Sequence, residues 1–121
     1  MEENKDLTAL LRNDELLTLP EAAEELGIAV TRVHDLLHEK KIVAYVEDGQ
    51  RYIPALFIND KGAINKFVSG AITVLADGGF SDEEILEHLF TPDDSLPGRP
   101  IDGLQGHLAR EVIRRAQALG L

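Results

Sequence analysis

A chain of 121 residues is long enough for one compact domain, or for a small domain with a helical extension, and four Phe, two Tyr and no Trp leave its core to Leu, Ile, Val and Ala. The absence of cysteine excludes disulfides, thiolate zinc sites and cysteine nucleophiles, and makes a reducing cytosol the expected compartment. A net charge of −10 excludes indiscriminate attraction to nucleic acid, because a uniformly acidic surface repels a phosphate backbone.

The polar start, Met1 to Asp6, has neither the basic residues nor the apolar run of a signal peptide, and no stretch reaches membrane-spanning length, so a cytoplasmic protein without membrane contact is expected. Residues 1–15 are charged and weakly periodic, with Leu7, Leu10 and Leu11 as their apolar cluster, and read as a flexible tail or a short docking helix. Thr18-Leu19-Pro20-Glu21 is a helix start: Thr18 can cap free amides, Pro20 fits the first turn, and Glu21 completes a capping box. Ala22, Ala23 and Leu26 form the inward face of this helix, and Gly27 ends it. A second helix over residues 30–39 turns Val33, Leu36 and Leu37 inward and leaves Thr31, His34, Asp35 and His38 on the outer side.

Ile42 to Val46 and Arg51 to Pro54 are rich in β-branched and aromatic residues and flank Glu47-Asp48-Gly49-Gln50, which predicts a β-hairpin, with residues 55–58 continuing as strand. From Lys61 to Ala76 an apolar stripe of Ile64, Phe67, Val68, Ala71, Ile72 and Leu75 predicts a helix. Ser81 and Glu84 make a second capping box, with Phe80 and Ile85 as its hydrophobic staple, for a helix from Asp82 to Phe90. Thr91 to Pro100 holds three prolines and reads as the main linker loop. Leu104, Leu108, Val112, Ala116 and Leu119 then line a last helix whose outer side carries Arg110, Arg114 and Arg115. The charge is segregated: seven acids and no Lys or Arg lie between Asp77 and Asp94, whereas residues 99–121 hold four Arg against Asp102 and Glu111.

The expected fold is mainly α with a small β-hairpin wing: a winged helix-turn-helix over residues 16–58, followed by a helical C-terminal domain over 59–121. In that order of elements the first helix braces the second, the second fits the major groove, and the hairpin reaches neighbouring phosphates. Thr31, Arg32 and His34 are then the candidate base readers, and Lys40, Lys41 and Arg51 the candidate phosphate contacts of a double-stranded DNA-binding regulator. A capped helix pair can equally form a dimer seam or hold a protein partner, so an adaptor without DNA binding is the alternative, and a homodimer is left open. No catalytic constellation is found. His34 and His38 could supply half of a metal site without a third ligand, Asp93-Asp94 reads as a solvated pair, and Gly78-Gly79 lacks the lysine of a nucleotide loop, so neither cofactor nor metal is expected and the chain is not read as an enzyme.

Residues Leu17 to Ile28 with Thr31-Arg32-Val33, and the wing segment Gly49 to Pro54, resemble the helix-turn-helix and wing of excisionase-like and MerR-like proteins. Pro54 to Ile58, Leu75 to Phe80, Leu89 to Leu96 and Ala109 to Leu119 resemble the actinobacterial DNA-binding proteins known from mycobacteria as substrates of the Ser/Thr kinase PknL. That resemblance implies a winged helix-turn-helix with a helical C-terminal part, and DNA binding controlled by phosphorylation of an N-terminal threonine, for which Thr8 is the candidate. Ala29, where related helices often carry a capping Ser, and Asp35 on the exposed face are departures that lower the expected affinity. Pro100-Ile101-Asp102 faintly resembles the toxin-binding part of certain antitoxins.

Overall fold

The computed structural model describes residues 5–120. Its elements are α1 (Lys5–Leu11), β1 (Leu16–Thr18), α2 (Leu19–Leu26), α3 (Val30–His38), β2 (Tyr45–Glu47), β3 (Gln50–Pro54), a 3-10 turn (Ala55–Phe57), α4 (Lys66–Asp77), α5 (Asp82–Phe90), α6 (Pro100–Gly103) and α7 (Ala109–Leu119). The fold is mainly α with a small sheet, as its sequence predicts.

Both capping boxes form. Glu21 N donates to Thr18 Oγ1 at 3.2 Å while Thr18 N donates to the Glu21 carboxylate at 2.8 Å, and Ser81 with Glu84 repeats the exchange at the start of α5. The hairpin turns at Asp48 and Gly49, whose φ values of 52° and 78° are the paired left-handed angles that suit the twist of a two-residue hairpin. The sheet gains a strand that the sequence does not announce. β1 pairs antiparallel with β3, Leu17 opposite Ile53, giving the order β1-β3-β2. Three residues, the last of them the helix cap Thr18 itself, are too few to display an alternating pattern.

Three further boundaries depart from expectation. Residues 55–57 coil into a 3-10 turn rather than extending β3. α4 starts at Lys66 rather than Lys61, because Asn59 Oδ1 accepts from the Lys61 and Ala63 amides, a bridge joins Ile58 to Ile64, and Asn65 caps the helix by accepting from Phe67 N and Val68 N. The last helix starts at Ala109 rather than near Leu104, with α6 a separate short helix before it, although Leu104 is buried as its spacing implies.

Of the two readings of residues 1–15, the flexible tail is corrected and the short docking helix is found where the structure describes them. α1 is docked: Leu7 and Leu11 are each 2% exposed and pack into the common core beside α5, and Thr8 Oγ1 lies 2.8 Å from the Tyr45 hydroxyl in a part-buried contact. Burial of two leucines outweighs the polar composition of the segment, at about 1.5–3 kcal/mol for each. Residues 1–4 of that expected tail lie outside the described residues.

The two halves share one core. Val68, Ala71, Ile72 and Leu75 of α4 are fully buried, with α7 along one side and α5 along another. The Phe57 and Phe90 rings meet at 6.3 Å, tilted by 43°, which joins the end of the winged half to α5. Beside them, Arg99 donates to Asp14 at 2.7 Å and to Asp102 at 2.9 Å, with its guanidinium 5.4 Å from the centre of the Phe90 ring. The Asp102 carboxyl is held below its usual range by the Arg99 guanidinium, against the opposing effect of burial.

Arg99→Ala leaves Asp14, only 13% exposed, without its ion-pair partner. A loss of about 2 kcal/mol, a discounted version of the cost of breaking a fully buried pair, is expected. It lowers Tm by roughly 8 °C in thermal melts; a melt unchanged within about 0.5 kcal/mol contradicts the role given to this network.

Candidate nucleic-acid interface

α2 and α3 are joined by a turn at Gly27, whose φ of 67° is left-handed. Gly27 N donates to Glu24 O and Ile28 N to Ala23 O, closing α2 before the chain swings into α3. Ala22 and Ala23 are buried at the crossing, small enough for the two helices to approach, and Val33 and Leu36 hold α3 against the core. The opposite side of α3 is open: Thr31, Arg32, His34, Asp35 and His38 are all exposed. At its start Ala29 offers no side-chain cap to the first amides of α3, although Arg32 N donates to Ala29 O at 2.9 Å.

The candidate residues do not all converge. Arg51 on β3 and His34 on α3 meet, Arg51 Nη2 lying 3.2 Å from His34 Nδ1; a guanidinium has only donors, so the imidazole nitrogen accepts. This contact puts the wing and the outer side of α3 on one surface. Arg32 and Thr31 share that helix, with Arg32 3.6 Å from Asp35 in an exposed pair that costs little to open. Lys41 is exposed at the helix exit. Lys40 is turned elsewhere: its ammonium is 2.8 Å from Asp82 on α5.

Carboxylates limit how far the cationic surface extends. Glu47 and Asp48 are exposed at the wing, and with Asp82 and Glu83 they line a groove of about 790 Å³ between the wing, α1 and α5. Two of the three arginines of α7 are engaged by a carboxylate, since Glu111 accepts from both Arg114 and Arg115; those hydrogen bonds bring its carboxyl down to about 2. Arg115 also donates to Ser95 in the loop, and Ser95 in turn donates to Asp93. His88 is half-buried, and burial lowers its pKa against the raising influence of Asp93. Among the described residues no group of three or more His, Asp or Glu side chains is placed to hold a metal ion.

Sequence reasoning missed the Lys40 contact with Asp82, which spans 42 residues and leaves no local pattern. One local sign was available in retrospect: Lys40 follows the helix end, where a glycine often sits.

Two family profiles cover most of the chain. The winged helix-turn-helix domain of DNA-binding protein Rv2175c matches residues 5–58, taking in α1, and the Rv2175c C-terminal domain of unknown function matches residues 66–120. DNA-binding protein Rv2175c of Mycobacterium tuberculosis is 42% identical, the match covering 84% of this chain and 77% of the relative. The NMR structure of Rv2175c superposes with a TM-score of 0.82 at 40% identity, over 90% of this chain and 83% of that one.

A Cβ added at Gly27 meets nothing within 4 Å, so Gly27→Ala tests the backbone conformation alone. It is expected to cost about 1 kcal/mol in chemical denaturation, the penalty of a left-handed alanine. A loss well above about 2 kcal/mol contradicts the open space around this turn.

Proposed function

From the premise that the chain belongs to the Rv2175c family of winged helix-turn-helix proteins, we propose that it binds double-stranded DNA in a sequence-specific way as a cytoplasmic, non-enzymatic regulator of transcription. The observation that carries this is the Arg51 contact with His34, which makes wing and recognition helix one continuous surface. Arg32, Thr31 and His34 would face base edges in the major groove, while Arg51 and Lys41 contact phosphates. An overall charge of −10 works against the interaction at long range, so affinity is modest and carried by few phosphate contacts.

The test is titration of a fluorescent duplex at about 50 mM salt. Arg32→Ala and Arg51→Ala are each expected to weaken binding by about 1 kcal/mol or more, roughly fivefold. If both variants bind as tightly as the parent, the assignment of this face fails. If the intact protein does not bind duplex DNA at low salt, the adaptor alternative, to which the acidic groove beside the wing is suited, takes its place.

Kinase control is the second part of the proposal and rests on the family resemblance together with the place of Thr8. Its hydroxyl meets Tyr45 at the start of β2, where a phosphate would bring up to two negative charges against a side chain only 3% exposed. The contact is part-buried and lies beside the acidic groove, so that charge disfavours it and modification would loosen α1 from its place beside α5 and the wing. Thr8→Glu is accordingly expected to cost about 1–2 kcal/mol of stability and to weaken duplex binding, while Thr8→Ser preserves both. A Thr8→Glu variant as stable and as tight-binding as the parent refutes this coupling.

A further inference from the structure

The C-terminal half takes hold of the exit of the recognition helix at a single residue, by side chain and by backbone. Lys40 Nζ lies 2.8 Å from Asp82 Oδ1 in the first turn of α5, and Thr73 Oγ1 on α4 donates to Lys40 O at 3.1 Å. Lys40 has a φ of 60°, the left-handed conformation that a glycine adopts more readily, so the contacts of this lysine must offset a backbone that is not its own preference. The ion pair is exposed, with 47% of the lysine and 46% of the aspartate side chain open to solvent. A pair of that kind is weak and exchanges readily with another anion. Asp82 is also held in place without the lysine, because a carboxylate is favoured in the first turn of a helix.

We propose that Asp82 is an internal competitor for DNA phosphate: it withholds Lys40 from the duplex, so that the C-terminal domain lowers affinity for DNA of any sequence and leaves discrimination to the recognition helix and wing. The inference rests on the DNA-binding reading above. A phosphate reaching Lys40 must displace a carboxylate already on it, and the neighbouring Glu83, Glu47 and Asp48 oppose its approach. Removing the carboxylate should therefore add one phosphate contact, visible in the salt dependence as well as in affinity.

The experiment compares the full chain with Asp82→Asn, Lys40→Ala, the double variant and Glu83→Gln, each titrated with a short duplex of random sequence between about 50 and 200 mM salt. Asp82→Asn is expected to bind about two- to fivefold more tightly at the lower salt, with a salt slope steeper by about 0.9. Lys40→Ala added to Asp82→Asn should remove that gain, whereas Lys40→Ala alone changes binding little. Glu83→Gln removes an equal charge without touching Lys40 and reports the general electrostatic effect. The inference is overturned if Asp82→Asn gains no more than Glu83→Gln, or if its gain survives Lys40→Ala. A parent that binds, with variants that behave in either of those ways, sinks this inference and leaves the DNA-binding reading intact. If neither the parent nor Asp82→Asn binds duplex DNA at low salt, both fall together.

Discussion

The apolar stripe of α4 is the constraint on which the rest of the molecule depends. Val68, Ala71, Ile72 and Leu75 have no exposed surface, and burying the Val, Ile and Leu members contributes roughly 1.5–3 kcal/mol each. A helix apolar over so much of its circumference cannot stand at the edge of a domain; it must be covered on more than one side, and α5 and α7 do this. Once α5 is fixed against α4, its own buried side chains Leu86, Leu89 and Phe90 need covering, and α1 with Phe57 supplies it. The winged half and the helical half thus complete one core, unlike two beads joined by a linker. The position of α3 relative to α5 is a consequence of that shared packing.

Electrostatics works locally inside this frame. A chain with 22 acids and 12 basic residues has few cations to spare, and the structure commits several of them to carboxylates. Arg99 is taken by Asp14 and Asp102, Arg114 and Arg115 by Glu111, and Lys40 by Asp82. What remains on the open side of α3 and the wing is a small set: Arg51 against a neutral acceptor on His34, Arg32 in a loose pair, and Lys41. A surface of this kind offers few cations to a phosphate backbone.

Much of this was legible in the sequence where the physics is local. The capping boxes at Thr18 and Ser81, the Gly27 turn and the Asp48-Gly49 hairpin are each decided within four residues, and each forms as its residues imply. Failures came where distant packing decides. Ile64 fits the stripe of α4 by spacing, yet it bridges to Ile58, and the helix waits for Asn65, whose side chain also donates to Leu104 O. Leu104 and Leu108 keep helical spacing in a segment that forms no helix, since Leu104 reaches the core from the irregular chain between α6 and α7. For α1 the sequence left a tail and a docking helix open because its apolar residues are few, but two leucines suffice to dock it. Of the candidate site, the exposed side of α3 could be read from periodicity alone, whereas the partner of each cation could not.

Lys40 shows why that last distinction matters. Periodicity ends the recognition helix near residue 39 and leaves two lysines beyond it, chemically equivalent on paper. The left-handed backbone at the first of them reverses the chain, so that Lys41 N returns to Leu36 O while the Lys40 side chain swings toward α5. A left-handed non-glycine residue costs about 1 kcal/mol, a sum comparable to what one hydrogen bond from Thr73 and one exposed ion pair can return. The balance is close to even. A residue so poised follows its surroundings, and the two lysines, adjacent in sequence, are set apart by a backbone angle that the helical half of the protein stabilises.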